Sequence, residues 1–406
     1  MNSRLSRVLV VIAPGMLVAA TGVGAGDLAT ATFAGSQLGT TVLWAVLAGG
    51  LFKFVLNEGL ARWQLATGTT FIEGAIKHLG SAVGYIFLPY LVLWSFFVGT
   101  ALMSACGVAL YAILPLMSDP ADGKMVFGIA ASATGLAMLR LGDFRLFERA
   151  MGVLVGLMFL TVLVTAAMVW PGAGPVFTGL FIPQIPAGGG TGLAWVVGLI
   201  GGVGGTVTIL CYGYWIREKG RNRADQMGLC RLDLAAGYAM TIMFGISMVI
   251  IGSTVSLEGG GADLLVRLAE SLEGSVGMFG KWVFLAGALA AVFSSLLGVW
   301  QAVPYIFADV WERLNNRSAE TLATTKSYRR FQVALAVLPA AGLVVSFRQI
   351  QLLYALAGAA FIPLLACGLL ILNSRKSLVG SLSNGWLSLL SLGGTLLFFL
   401  WAGLMA

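Results

Sequence analysis

A carboxylate that follows directly on a run of glycines is the first place in this sequence where chemistry is to be expected. Gly22, Gly24 and Gly26 lie within an apolar segment, and Asp27 comes next. Glycines spaced this closely favour a local break in a helix, because they lack the Cβ that confines other residues to helical backbone. A break inside lipid leaves amides and carbonyls that must find partners in protein or in a cavity. An ionisable group at that depth costs roughly 2.5 to 3.5 kcal/mol on insertion scales, so Asp27 is expected to face protein or water. The texture returns in Gly201-Gly202-Val203-Gly204-Gly205-Thr206-Val207-Thr208, where Gly202-Val203-Gly204 echoes Gly22-Val23-Gly24. Paired interruptions in two halves of a membrane chain point to a binding site near the bilayer midplane.

Each feature also has a plainer role. Glycines let membrane helices pack closely, Asp27 would serve as a structural acid bonded to nearby backbone, and Thr208 would bond the carbonyl one turn back. Lys53 is the least expected residue. It falls inside the second apolar segment, with Asn57 one turn on and Glu58 after it. An ammonium there must find a partner or snorkel. Pairing with Asp27 would neutralise the one carboxylate that a cation needs, whereas pairing with Glu58 or a carbonyl would leave Asp27 available. Lys53 and Glu58 are therefore candidate gate or charge-partner residues.

The elements that must position these groups follow from composition. Hydrophobic residues make up 58% of the 406 and charged residues 10%, too little polar surface for a soluble globule. Four cysteines far apart, with a single histidine, form no zinc, iron-sulfur or disulfide framework. Apolar runs long enough to cross a bilayer fall at about 8–35, 40–66, 82–115, 124–140, 150–170, 191–216, 232–256, 277–308, 331–347, 350–373 and 383–405. With the N-terminus in the cytoplasm, 19 of the 24 Lys and Arg residues fall in inside loops. Such a bias places the N-terminus inside and the C-terminus outside. It also accounts for the excess of basic residues without nucleic acid.

Segments 1 to 5 (residues 1–175) and 6 to 10 (residues 176–376) are sets of five, and the odd number inverts the second set relative to the first. Segment 11 (residues 377–406) is an addition. The expected fold is an all-α integral membrane protein of about 11 transmembrane helices. Its five-plus-five inverted repeat, with helices 1 and 6 broken, is of the leucine-transporter type.

On this frame the residues resemble the natural resistance-associated macrophage protein (Nramp) family of metal transporters. The resemblance is carried by Ala13-Pro14-Gly15-Met16-Leu17, Leu60-Ala61-Arg62, Thr67-Gly68, Glu73, Arg231-Leu232-Asp233, Gly298 to Gln301, and Phe361-Ile362-Pro363-Leu364. It implies an ion pathway between helices 1 and 6, with carbonyl ligands at Thr21 and Gly205 and a polar wall at Gln301. The chain departs from the family where the metal would sit. The family's Asp-Pro-Gly-Asn falls on Gly24-Ala25-Gly26-Asp27, so one carboxylate survives, displaced by about a turn. The family's Met-Pro-His falls on Thr208-Ile209-Leu210. Its acidic pair in helix 3 falls on Ala101 and Ser104, and its lower histidine in helix 6 on Trp215.

Losing the thioether and imidazole leaves oxygen donors, which suit hard cations better than transition metals. The resemblance therefore implies a secondary transporter of a divalent cation such as magnesium or manganese, working by alternating access, with altered metal selectivity and weak or no proton coupling. Its expected metal ligands are Asp27 and Thr208. A second reading is a carrier of a small organic or zwitterionic solute such as an amino acid, held by the exposed amides of Gly24, Gly26 and the second break. A third is a non-transporting scaffold. No enzymatic activity, resident cofactor or nucleic-acid partner is expected. The partners are the transported solute and the lipid of a bacterial-type inner membrane, and the sequence leaves oligomeric state open.

Overall fold

The structure, a computed structural model, describes residues 25–141, 145–185, 190–255, 259–317 and 322–405. Among these residues every regular element is helical. A π-turn at Ala25–Thr30 leads into α1 (Ala31–Leu38), and a 3-10 turn at Gly39–Val42 leads into α2 (Leu43–Thr67). Then come α3 (Phe71–Leu79), α4 (Ala82–Ile113), α5 (Pro120–Leu141), α6 (Arg145–Met168) and α7 (Ala173–Phe181). The second half comprises α8 (Gly190–Gly202), α9 (Cys211–Glu218), α10 (Met227–Gly252), α11 (Leu264–Leu314), α12 (Lys326–Val337), α13 (Phe347–Ala359) and α14 (Phe361–Asn373), followed by α15 (Trp386–Met405).

Eight helical stretches of the described residues are long and apolar enough to cross a membrane, and a ninth forms if α6 and α7, bent by 116°, count as one. Two differences reconcile this with the eleven segments expected. Asp27–Thr67 counts as a single run of 41 residues, yet at 1.5 Å per residue it would be about twice as long as a bilayer core is thick. The turn at Gly39, with φ at 68°, divides it. The ninth segment, expected at 331–347, is α12 of 12 residues continued by a 3-10 stretch at Leu338–Val344. Pro339 causes the change: it has no N–H to donate, and its ring clashes with an earlier carbonyl of an α-helix. Segment 8 begins earlier than its apolar run, because Leu264 onward already forms helix outside a kink at Gly277, where φ is 72°.

Contacts between segments give their relative directions. Down α2, Val46 lies against Gly245 and Gly50 against Ile242, while Asn57 bonds Tyr238 and Glu58 pairs with Arg231. Segments 2 and 7 therefore run antiparallel, as an inverted repeat requires. Along the same helix Gly49 packs on the backbone of Ile200, Lys53 reaches Gly201 and Val203, and Gln64 approaches Gly213. Segment 6 is thus parallel to segment 2, and the side chains of α2 run past the whole of its interruption.

The packing is dense where glycines allow it. A Cβ on Gly35 would lie 2.3 Å from the Val249 carbonyl oxygen, and one on Gly252 2.4 Å from that of Thr32. These two approaches clamp α1 onto α10 and fix the height of Asp27. At one end of the bundle charged groups collect from α2, α3, α10 and α11; at the other, Ser36 donates to the Val255 carbonyl and the Arg348 amide to that of Gly260. The loops that the charge bias assigns to opposite sides thus gather at opposite ends.

Candidate functional site

Segment 6 is broken as its glycines foretold. α8 ends at Gly202, and Gly204 and Gly205 adopt φ values of 77° and 86°, a left-handed region that favours glycine. Helix resumes as a 3-10 turn at Val207–Leu210 and then as α9. The last carbonyls of α8 and the amides beyond it have left the helical ladder, so buried partners must come from elsewhere. They come from segments 1 and 2. The Gly204 N–H is shared between the two carboxylate oxygens of Asp27, at 3.2 and 3.3 Å. The Lys53 ammonium donates to the Gly201 carbonyl at 2.7 Å and to the Val203 carbonyl. Both side chains are fully buried.

Segment 1 presents Asp27 from the π-turn Ala25–Thr30, an under-wound stretch that also contains Gly26. Such turns are often found at functional positions, because the extra residue redirects side chains. Thr21 and Gly24 lie outside the described residues. Gly205 is buried, and the Thr208 hydroxyl lies 3.2 Å from where a Cβ on Gly205 would stand. Thr208 itself is buried in the 3-10 turn. Asp27, Gly205 and Thr208 thus belong to one interrupted region, with Lys53 closing it from α2.

Gln301 does not enter this buried region. It is exposed on α11, and its carbonyl accepts the Tyr328 hydroxyl at 3.2 Å. Glu58 is not the partner of Lys53. It receives Arg62 Nε at 2.7 Å and Arg231 Nη2 at 2.8 Å, near the charged end of the bundle. There a second network centres on Asp309, which accepts the Thr70 and Tyr214 hydroxyls and the Arg313 guanidinium, while Arg313 also reaches Glu73. A third joins Arg221 and Tyr212 to Asp233. These contacts tie α2, α3, α9, α10 and α11 together at one end of the bundle.

Two polar groups at the break carried no strong sequence signal. Tyr238 and Thr241 of α10 are uncharged and sit within an apolar helix, yet a Cβ on Gly204 would lie 3.0 Å from the Tyr238 ring and 3.4 Å from the Thr241 methyl. The Tyr238 hydroxyl accepts the Asn57 amide. Among the described residues, Asn57 Oδ1 and the hydroxyls of Thr30 and Thr241 are buried without a hydrogen-bond partner. Buried polar atoms rarely stay unmatched in a finished structure, so these oxygens are suited to ligands or water. Among the described residues, no three His, Cys, Asp or Glu side chains converge as metal ligands. Cys211 turns away, its Sγ 3.9 Å from the Ala302 carbonyl.

The fold and this region together define a membrane protein of the broken-helix transporter class. The chain matches the model of the family described as "Natural resistance-associated macrophage protein-like" over residues 15–406 and belongs to that family. The Klebsiella pneumoniae (strain 342) divalent metal cation transporter MntH is 25% identical over 93% of this chain and 88% of its own. The MntH of Chromohalobacter salexigens is 25% identical over 74% and 72%. A mutant form of the Eremococcus coleocola manganese transporter superposes with a TM-score of 0.71 at 15% identity, over 98% of this chain and 87% of that one. MhsT in complex with L-phenylalanine gives 0.64 at 17% identity, over 97% and 98%. The leucine-transporter type of architecture is therefore established.

Proposed function

We propose that the chain carries a divalent cation across the membrane by alternating access, and that the cation is a hard one such as magnesium or manganese. The observation that carries this reading is the buried Asp27 carboxylate at the break in segment 6, with the Thr208 hydroxyl buried in the turn that follows the break. Divalent metal is what the named relatives MntH move. Asp27, the Thr208 hydroxyl and the Gly205 carbonyl, with the Thr21 carbonyl from segment 1, form the proposed ligand set. So few protein oxygens fit an ion that retains several waters, as magnesium does. The neighbouring Lys53 ammonium opposes a divalent charge, so the expected hold is weak, as suits an ion that must leave again.

The solute-carrier reading gains less. An amide that would grip a substrate carboxylate, Gly204 N–H, already holds Asp27, and the likeness to MhsT extends to fold alone. At the positions of the family's proton route stand Ala101, Ser104 and Trp215, so we expect weak proton coupling. The relatives' bacterial origin and the loop charges support an inner-membrane location with the N-terminus inside.

The test is uptake into proteoliposomes. Magnesium or manganese should enter wild-type vesicles at a saturable rate that Asp27→Asn abolishes, with little accompanying acidification. Saturable amino-acid uptake without divalent-cation uptake would overturn the proposal.

A further inference from the structure

We propose that Lys53 is a tethered cation occupying a small-cation seat at the end of the α8 half-helix, so that deleting its side chain uncovers a binding site for a free monovalent cation. The inference concerns a second position beside the transported ion and stands on the following observations.

Gly201 and Val203 mark the C-terminal end of a half-helix buried in the bundle. The carbonyls there point outward from the helix and carry the negative end of its dipole. Oxygens of this kind coordinate monovalent ions in membrane proteins with interrupted helices. Here both contacts are made to one ammonium, which is compact and has three donors. Lys53 has not drifted toward the charged end of the bundle: Glu58, five residues further along α2, is taken by Arg62 and Arg231. Across the break Asp27 holds the Gly204 amide, so a carboxylate lies on the far side of the same backbone stretch. Two carbonyls with a carboxylate across the break make a cation environment, and the chain fills it covalently.

The cost of emptying the seat is electrostatic. Without the ammonium, two desolvated carbonyls and the Asp27 charge lose their counterpart. A small cation diffusing in restores it, whereas a cation too large for the seat cannot.

The experiment is thermal unfolding of purified protein in detergent, in choline chloride, sodium chloride and methylammonium chloride of equal ionic strength. Methylammonium is the excised lysine head group. Lys53→Ala should melt about 5 °C or more below wild type in choline and recover at least half of that loss in sodium or methylammonium, while wild type shifts by less than about 1 °C between salts. Recovery in neither small cation, or full stability of Lys53→Ala in choline, would overturn the inference. If Lys53→Ala does not fold, Lys53→Ser also empties the seat while keeping a small polar side chain, and salt shifts in it no larger than in wild type would be equally decisive. Divalent-cation flux is measured separately on wild type. Failure of flux bears on the transport proposal and leaves the salt-dependent stability untouched.

Discussion

Asp27 and Lys53 hold the same short stretch of segment 6 from opposite sides, the carboxylate on the Gly204 amide and the ammonium on the carbonyls of Gly201 and Val203. Each charge thereby satisfies backbone groups that the broken helix leaves unpaired. The pair is bridged by that backbone: among the described residues the two side chains form no ion pair within 4.0 Å.

This bridging separates two substitutions. Asp27→Asn keeps an oxygen for the Gly204 amide and leaves Lys53 on its carbonyls, so stability should fall by no more than about 1 to 2 kcal/mol. Divalent-cation affinity should fall about 30-fold to 1000-fold, equivalent to roughly 2 to 4 kcal/mol of lost ligand. Thermal unfolding and flux, measured together, check both. A loss above about 3 kcal/mol that Lys53→Leu repairs would instead mean that Lys53 depends on Asp27, and would remove the cation site from Asp27.

Gly204→Ala should disable the protein, because φ at 77° is unfavourable for alanine and the new methyl would meet the Tyr238 ring at 3.0 Å. The expected loss is about 1 to 3 kcal/mol. Gly213→Ala is the matched control: it is helical, and its Cβ would find only Gln64 Oε1 at 3.7 Å. That change should be neutral or mildly stabilising, since alanine favours helix. Equal melting points for the two variants would contradict the role given to the break.

The partners of Glu58 differ in burial, and their deletion should differ accordingly. The Arg62 side chain is 3% exposed and that of Arg231 57%. Arg231→Gln should cost less than about 1 kcal/mol. Arg62→Gln leaves Glu58 short of its buried partner and frees the Asn384 amide oxygen, and should cost about 3 kcal/mol or more. Chemical denaturation of the two variants distinguishes them, and the reverse order would refute the assignment.

Soft metals should bind poorly, since the donors at the break are oxygens. Isothermal titration with cadmium is expected to show no micromolar site. Micromolar binding that persists in Cys211→Ala would show a soft ligand where the structure places none.

The sequence by itself determined the class and the location of the interruption. Apolar length has few solutions in lipid, and paired glycine runs in two halves of the chain are read directly as breaks, so segment 6 parts where Gly204 and Gly205 stand. Local rules also set where α12 ends, once Pro339 is noticed. Tertiary structure alone decided the partners. Lys53 had three conceivable ones, and which it takes depends on how α2 lies along segment 6, a register fixed by contacts such as Gly49 on Ile200. Tyr238 and Thr241 carry no charge and sit in an apolar run, so nothing in one dimension marks them. Gln301 shows the converse: it matched a family position, yet its own side chain is exposed on α11. Sequence spacing fixes which residues share a helix face, but only the packing of one helix against another decides what that face meets.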